Sequence, residues 1–153
     1  MTGLRERVGV ALKDAMRNKE AERLSTLRLI TAAIKDRDIA LRTENRPEGV
    51  SDDDVLQILG KMVKQRQESA RAYEEGGRLE LAEKERDEIG VIEEFLPRQL
   101  TPAEVGAAID NAIAETGASG IRDMGKVMGV LKSRYTGQMD FGAVGPKVRE
   151  KLG

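Results

Sequence analysis

Apolar residues recur at intervals of three or four along nearly the whole chain, which is the spacing of a stripe on one side of an α-helix. The clearest run is Leu24, Leu27, Ile30, Ile34 and Leu41. No segment alternates every second residue over the length of a strand, as a half-buried strand would. Aromatic residues make up only 3% of the chain, so the core has to be built from aliphatic side chains and methionine. The pattern predicts an all-α fold.

Breaking and capping residues divide this pattern into seven predicted helices. Asn18 is predicted to end the first helix, and the loop of residues 43–49, which contains Pro47, to end the second. The third helix is predicted to begin after Ser51 as N-cap and to end at Gly76-Gly77. Thr101 is predicted to open the fifth helix with a capping box, and Gly117 to end that helix. A proline inside a helix is costly. The seventh helix is therefore predicted to begin at Pro146, after a turn at residues 140–145.

The sixth predicted helix has an inward stripe and ends at Gly137. The stripe consists of Ile121, Met124, Val127, Met128, Leu131 and Tyr135. Pro97 marks the main boundary of the chain. We therefore expect a four-helix N-terminal bundle at residues 1–96, packed with a smaller three-helix domain at residues 97–153.

The chain contains no histidine and no cysteine. It therefore lacks the commonest general base and the commonest transition-metal ligand, as well as any thiolate or disulfide chemistry. Phosphate-loop, dinucleotide-binding and metal-binding motifs are also missing from the sequence. We predict no catalytic residues, no cofactor and no metal.

The first residues mix acidic and basic side chains without an apolar run, unlike a signal peptide. No stretch approaches the roughly 18 consecutive apolar residues of a membrane span. We expect a cytoplasmic protein without membrane association.

Net positive charge is found near the end of the chain, although the net charge of the whole chain is -1. Residues 117–153 hold seven Lys or Arg and three acids, a local charge of +4. In the sixth helix, two glycines one turn apart adjoin cationic residues. The candidate RNA-binding residues are Arg122, Gly125, Lys126, Gly129, Lys132 and Arg134. Such a strip suits close approach of a phosphate backbone, but it also suits close packing of another helix, with the cations simply solvated.

Two charged residues fall inside apolar stripes: Asp38 in the second helix and Arg66 in the third. A buried charge needs a partner or a path to solvent. Arg66 is expected either to pair internally, with Asp38 or with a glutamate of the fourth helix, or to extend to solvent at the edge of the core.

Several stretches, in order along the chain, resemble the GatB/YqeY family, small bacterial proteins similar to the C-terminal tail of the GatB polypeptide of the glutamine-dependent tRNA amidotransferase. The matching stretches are residues 27–35 (LRLITAAIK), 64–70 (KQRQESA), 77–85 (GRLELAEKE), 95–97 (FLP), 123–129 (DMGKVMG), 137–140 (GQMD) and 148–152 (VREKL). The resemblance implies an all-α fold of two helical parts. It also implies a role related to the tail, which helps to hold tRNA while other regions carry out the chemistry.

Three functional hypotheses follow. The first is a non-catalytic module that binds tRNA or an amidotransferase–tRNA assembly. The second is a helical scaffold for protein interactions that makes no contact with RNA. The third is an enzyme, because the family carries the label of a carbon–nitrogen ligase with glutamine as amide donor. The sequence offers the third no catalytic constellation, so we rank it last.

Overall fold

The computed structural model describes residues 3–45 and 49–153. Within these residues it contains seven α-helices and no strand, which confirms the all-α prediction. The helices are α1 (Leu4–Arg17), α2 (Ala21–Thr43), α3 (Asp52–Glu75), α4 (Leu79–Glu93), α5 (Pro102–Thr116), α6 (Met124–Arg134) and α7 (Phe141–Leu152), and a 3₁₀ turn, Ile121–Asp123, precedes α6. The chain divides into two compact units, Met1–Leu96 and Pro97–Gly153.

Predicted breaking and capping residues lie at the end of α1 and at both ends of α3 in the first unit. Asn18 follows α1, as predicted. The Ser51 hydroxyl accepts a hydrogen bond from the Asp54 N–H at 3.2 Å, and the Asp54 carboxylate accepts one from the Ser51 N–H at 3.0 Å. This reciprocal pair confirms Ser51 as the N-cap of α3. Gly77 follows α3 with a φ of 73°, and the predicted breaker Pro47 lies outside the described residues.

The first unit is held together by aliphatic side chains from all four of its helices. Neighbouring helices α1 and α2 pack together, and so do α3 and α4. The largest fully buried side chains here are Leu27, Ile30, Ile34, Leu41, Leu59 and Ile92. Burial of each such side chain stabilises the fold by about 1.5–3 kcal/mol. The apolar stripes of the sequence therefore coincide with this core.

Asp38 is a buried carboxylate, only 6% exposed. Its oxygens lie 3.4 Å from Arg5 Nη1 and 3.1 Å from Arg42 Nη2. The Val50 N–H donates a hydrogen bond to its Oδ1 at 3.2 Å. Asp38 thus connects α1, α2 and the segment that leads into α3.

Arg66 forms an internal ion pair with Glu88 of α4, with 3.7 Å between Nε and Oε2. The two side chains are 15% and 17% exposed. Arg66 Nη1 also donates a hydrogen bond to the Met62 carbonyl at 3.2 Å. The prediction of a partner among the α4 glutamates is confirmed, and the alternative partner, Asp38, binds other arginines.

The second unit opens with the predicted capping box. The Thr101 hydroxyl accepts a hydrogen bond from the Glu104 N–H at 3.2 Å, and the Glu104 carboxylate accepts one from the Thr101 N–H at 3.0 Å. Gly117 ends α5 in the left-handed conformation, with a φ of 66°, as a C-terminal glycine commonly does. The core of this unit comprises Val105, Ala108, Ile109, Ala112, Val127, Leu131, Met139, Val144 and Val148.

The predicted start of the last helix is wrong. We expected a turn at residues 140–145 and a helix from Pro146, but α7 begins at Phe141 and contains Pro146 in its interior. The Asp140 carboxylate accepts a hydrogen bond from the Gly142 N–H at 3.0 Å, which caps the earlier start. Val144 and Val148 are both buried while Pro146 is exposed. Core packing therefore outweighs the cost of the proline.

The predicted extent of the sixth helix is also wrong. Its α-helical part begins at Met124, after a 3₁₀ turn, and ends at Arg134, three residues before Gly137. Ile121, which we expected in the inward stripe, is 54% exposed. Ile121 lies in the 3₁₀ turn outside the α-helical part, and it does not join the buried residues Val127 and Leu131.

In the part of the chain that the structure describes, we find no helix with the length and apolar character required to cross a membrane.

Candidate functional site

A shallow depression of about 530 Å³ lies on the outer side of α6, against the end of α5. It is lined by Thr116, Lys126, Gly129, Val130, Ser133 and Arg134, and we call it the α6 depression. Positions 126, 129, 130 and 133 share one side of a helix with 3.6 residues per turn. The opposite side of α6 carries the buried Val127 and Leu131.

Three of the six predicted site residues line the α6 depression: Lys126, Gly129 and Arg134. The other three do not line it. Arg122 belongs to the preceding 3₁₀ turn, while Gly125 and Lys132, seven residues apart, lie along an adjacent side of α6. All six are exposed. The structure therefore divides the predicted strip into a depression and a flank.

Both glycines of the strip have open surroundings. A β-carbon built at Gly125 or Gly129 would meet no heavy atom of the described chain within 4 Å, apart from the local helix backbone and chain neighbours. Close packing against another of the seven described helices therefore does not explain them. Gly60 and Gly90 have equally open surroundings, so an exposed helical glycine alone does not mark a site. What distinguishes Gly129 is its position among charged and hydroxyl side chains.

Arg134 is held by Glu115, from the last turn of α5. Two hydrogen bonds join the side chains, from Nη1 to Oε1 at 3.2 Å and from Nη2 to Oε2 at 2.9 Å. These bonds raise the pKa of Arg134 above its usual value. Both side chains are about half exposed, at 48% and 51%. A ligand in the α6 depression would therefore find this guanidinium already oriented and paired with a carboxylate.

Lys126 has no carboxylate within ion-pair distance among the described residues, and the same is true of Lys132. Lys126 interacts electrostatically with Asp123, at the end of the preceding 3₁₀ turn. Asp123 accepts a hydrogen bond from the Ser119 N–H at 3.0 Å. That bond, aided by the charges of Lys126 and Arg122, lowers the pKa of Asp123 below its usual value. Lys126 is thus the more available of the two cations that line the α6 depression.

Sequence reasoning missed three lining residues and the counter-ion. Ser133 was recognisable, because it follows Lys126 by seven residues and Gly129 by four, the spacing of one helix face. Thr116 and Glu115 belong to another helix, so only the tertiary structure brings them to this surface. The Thr116 hydroxyl donates a hydrogen bond to the Ala112 carbonyl at 2.8 Å, and its oxygen remains able to accept one.

The side chains that line the α6 depression suit contact with an anion. The depression presents an ammonium, a guanidinium and the Ser133 hydroxyl, groups that donate hydrogen bonds to oxyanions such as phosphate. Among residues 3–45 and 49–153, no three carboxylates gather where they could hold a metal ion. A shallow, open surface of this kind suits an extended polyanion rather than an enclosed small molecule.

The fold and this surface define a small helical protein with a cationic face. Comparison with known protein families shows the family to which it belongs. The model of the YqeY-like protein family matches residues 5–152. The chain therefore belongs to the YqeY-like family, as its sequence motifs predicted.

Two curated fungal proteins are similar to part of the chain. One is an uncharacterised protein of Schizosaccharomyces pombe, 30% identical over 86 residues, which are 56% of this chain and 66% of the relative. The other is the altered inheritance of mitochondria protein 41, mitochondrial, of Meyerozyma guilliermondii. It is 33% identical over 106 residues, which are 68% of this chain and 51% of the relative. The chain thus spans less than two thirds of the length of either relative.

Proposed function

We propose that this YqeY-like protein is a non-catalytic module that binds tRNA, alone or in an amidotransferase–tRNA assembly, through the α6 depression. One observation carries the proposal. Lys126, Gly129 and Arg134, each a candidate from the sequence, line the same depression together with the hydroxyl-bearing Thr116 and Ser133.

The composition of the surface favours contacts to phosphate and ribose. Cationic side chains attract the RNA backbone regardless of sequence, and their attraction weakens as salt rises. Gly129 adds no side chain at the floor of the depression, so a ribose–phosphate backbone can approach the helix closely. Base-specific recognition of single-stranded RNA commonly uses aromatic stacking, and no aromatic side chain lines this surface. The module is therefore expected to recognise shape and charge more than sequence.

The choice of tRNA rests on the resemblance to the amidotransferase tail. In that enzyme the matching tail helps to hold tRNA, and we propose the same kind of role here. We assign the ligase label of the family to the larger enzyme, since the present chain has neither histidine nor cysteine and no motif for a nucleotide. Cytoplasmic location and bacterial origin stay predictions.

Fluorescence anisotropy with labelled total tRNA across a salt series tests the proposal. We expect binding at low salt that weakens as salt rises, and a marked loss in a Lys126→Glu, Lys132→Glu double variant. The single variants refine the test: Lys126→Glu should weaken binding more than Lys132→Glu, because only Lys126 lines the depression. Each lost phosphate contact should reduce the salt slope by about one.

A matched control changes the same charge elsewhere. Lys13 and Lys35 are exposed lysines of α1 and α2. A Lys13→Glu, Lys35→Glu variant therefore changes the net charge by the same amount as the Lys126→Glu, Lys132→Glu variant. It should retain most of the affinity. Absence of binding by the unmodified protein at low salt, or equal losses in the two double variants, would contradict the proposal.

A protein-interaction scaffold is the second candidate, and exposed apolar side chains of the first unit favour it. Val10, Met16, Ile39 and Leu79 are 57%, 54%, 54% and 67% exposed. Purification of the tagged protein from its own cells, with RNA and protein both identified, separates the two functions. Co-purifying protein that survives ribonuclease treatment, without any enriched RNA, would favour the scaffold.

A further inference from the structure

Glu115 brings a negative charge to the edge of the proposed RNA site. Its carboxylate binds both terminal nitrogens of Arg134, at 3.2 and 2.9 Å. It also immediately precedes Thr116, which lines the α6 depression. We infer that Glu115 is a built-in counter-ion that occupies Arg134 in the free protein and lowers the affinity of the α6 depression for RNA. This inference rests on the proposed function.

The charges of the site support this role. Lys126 and Arg134 supply two positive charges, and Glu115 cancels one of them at contact distance. Phosphate binding to Arg134 must therefore displace the Glu115 carboxylate or share the guanidinium with it. Sharing places two anions near each other, and displacement breaks two charge-assisted hydrogen bonds. Either route lowers the affinity below that of a site with an unpaired arginine.

The position of Glu115 in α5 makes its displacement less favourable still. The last turn of a helix carries the negative end of the helix dipole, where a carboxylate is disfavoured. That turn of α5 contains no basic residue, so Arg134 of α6 is the neutralising partner that the structure provides. When RNA binds Arg134, Glu115 remains at the negative end of α5 without that cationic partner.

The Glu115→Gln variant should fold normally. The substitution removes an exposed ion pair, which is a small loss, and it also removes a charge that the helix dipole disfavours. The amide keeps the size of the side chain and its ability to accept a hydrogen bond. Thermal unfolding of the variant should therefore resemble that of the unmodified protein.

A double-mutant cycle with labelled total tRNA tests the inference. Glu115→Gln should tighten binding about two- to fivefold, the range expected for release of an exposed ion pair. It should also steepen the salt slope by up to about one, because one more cation becomes available to phosphate. In an Arg134→Gln background the same substitution should produce little or no gain, because Glu115 acts through Arg134.

Asp110→Asn is the matched control. Asp110 is an exposed carboxylate of α5 that pairs with Lys151, with 2.6 Å between Oδ1 and Nζ. Asp110→Asn changes the net charge by the same amount as Glu115→Gln. It should tighten binding less than Glu115→Gln does. A gain as large in Asp110→Asn would show an effect of overall charge and overturn the inference, as would a gain that persists without Arg134.

The remaining outcomes separate this inference from the proposed function. Detectable binding by the unmodified protein, with unchanged or weaker binding by Glu115→Gln, overturns the role of Glu115 alone. Failure of the unmodified protein to bind tRNA at low salt overturns the proposed function and this inference together.

Discussion

Asp38 and Gly49 lie so close together that residue 49 has no room for a β-carbon. A Cβ built there would stand well inside 3.0 Å of Asp38 Oδ1 and 3.5 Å from its Cγ. Gly49 also has a φ of 77°, a conformation that favours glycine. The carboxylate cannot move aside freely, because Arg5, Arg42 and the Val50 N–H all hold it. Two independent constraints therefore fix glycine at this position.

Gly49→Ala should destabilise the first unit more than Gly77→Ala does. Gly77 has a similar φ of 73°, but a Cβ there meets nothing within 4 Å. Gly77→Ala is expected to cost about 1–2 kcal/mol for the left-handed backbone. Gly49→Ala should cost about 1–3 kcal/mol more, because the methyl group displaces Asp38. Urea denaturation measures both free energies of unfolding, and equal losses would show that the contact with Asp38 is unimportant.

Arg66→Met should destabilise the fold by about 1–3 kcal/mol, between the values for exposed and buried ion pairs. The loss arises because Glu88 remains in a site where it is only 17% exposed, with Glu85 nearby. Burial and then the Glu88 charge already raise the pKa of Glu85 above its usual value, and Arg66 opposes that rise. Glu88→Gln in the Arg66→Met background should recover part of the stability, whereas a further loss in the double variant would contradict this account.

Glu104 should titrate far below an ordinary glutamate. Its hydrogen bonds with Arg98, followed by the Thr101 N–H, lower its pKa from 4.5 to about 2. Because the folded-state pKa is depressed, the stabilisation from this group is present above pH 4.5 and is lost as the pH falls through about 2. NMR titration of the side-chain carboxyl measures this pKa directly. Arg98→Gln should move it back towards 4.5, and an unchanged value would show that Arg98 is not the main cause.

Gly129→Ala should separate folding from function. Alanine favours a helix over glycine, and the space beside Gly129 is open. We therefore expect a gain in stability of about 0.4–1 kcal/mol. The added methyl group lies in the α6 depression and should weaken tRNA binding about two- to tenfold, by holding the RNA backbone away from the helix.

Gly60→Ala provides the comparison for this test, because Gly60 is an exposed glycine of α3 with equally open surroundings. It should raise the stability similarly and leave the affinity for tRNA unchanged. If Gly129→Ala binds tRNA as well as the unmodified protein, the floor of the depression does not contact RNA.

The sequence was most informative where structure depends on neighbouring residues. Ser51 and Thr101 were recognisable as helix caps because their partners lie three residues further along the chain. The apolar stripes identified the cores for a similar reason, since helical periodicity is a local property. Pro146 shows the limit of local rules: the cost of an internal proline is real, but burial of Val144 and Val148 outweighs it.

The candidate site was predictable only in part. Lys126, Gly129 and Arg134 belong to one charged helix, so composition and spacing indicated them. The pairing of Arg134 with Glu115 joins residues 19 positions apart on different helices. Charge counting over residues 117–153 did not include Glu115, and it therefore overestimated how much positive charge is free to meet a ligand.

NMR mapping of the protein during titration with tRNA at low salt is the most direct test of the central claim. We expect the backbone amide signals of Lys126, Gly129 and Ser133 to shift or broaden first, while those of α1 to α4 change little. Raising the salt concentration should reverse these changes. Changes confined to α1–α4, with the α6 signals unaffected, would contradict an RNA-binding surface at the α6 depression.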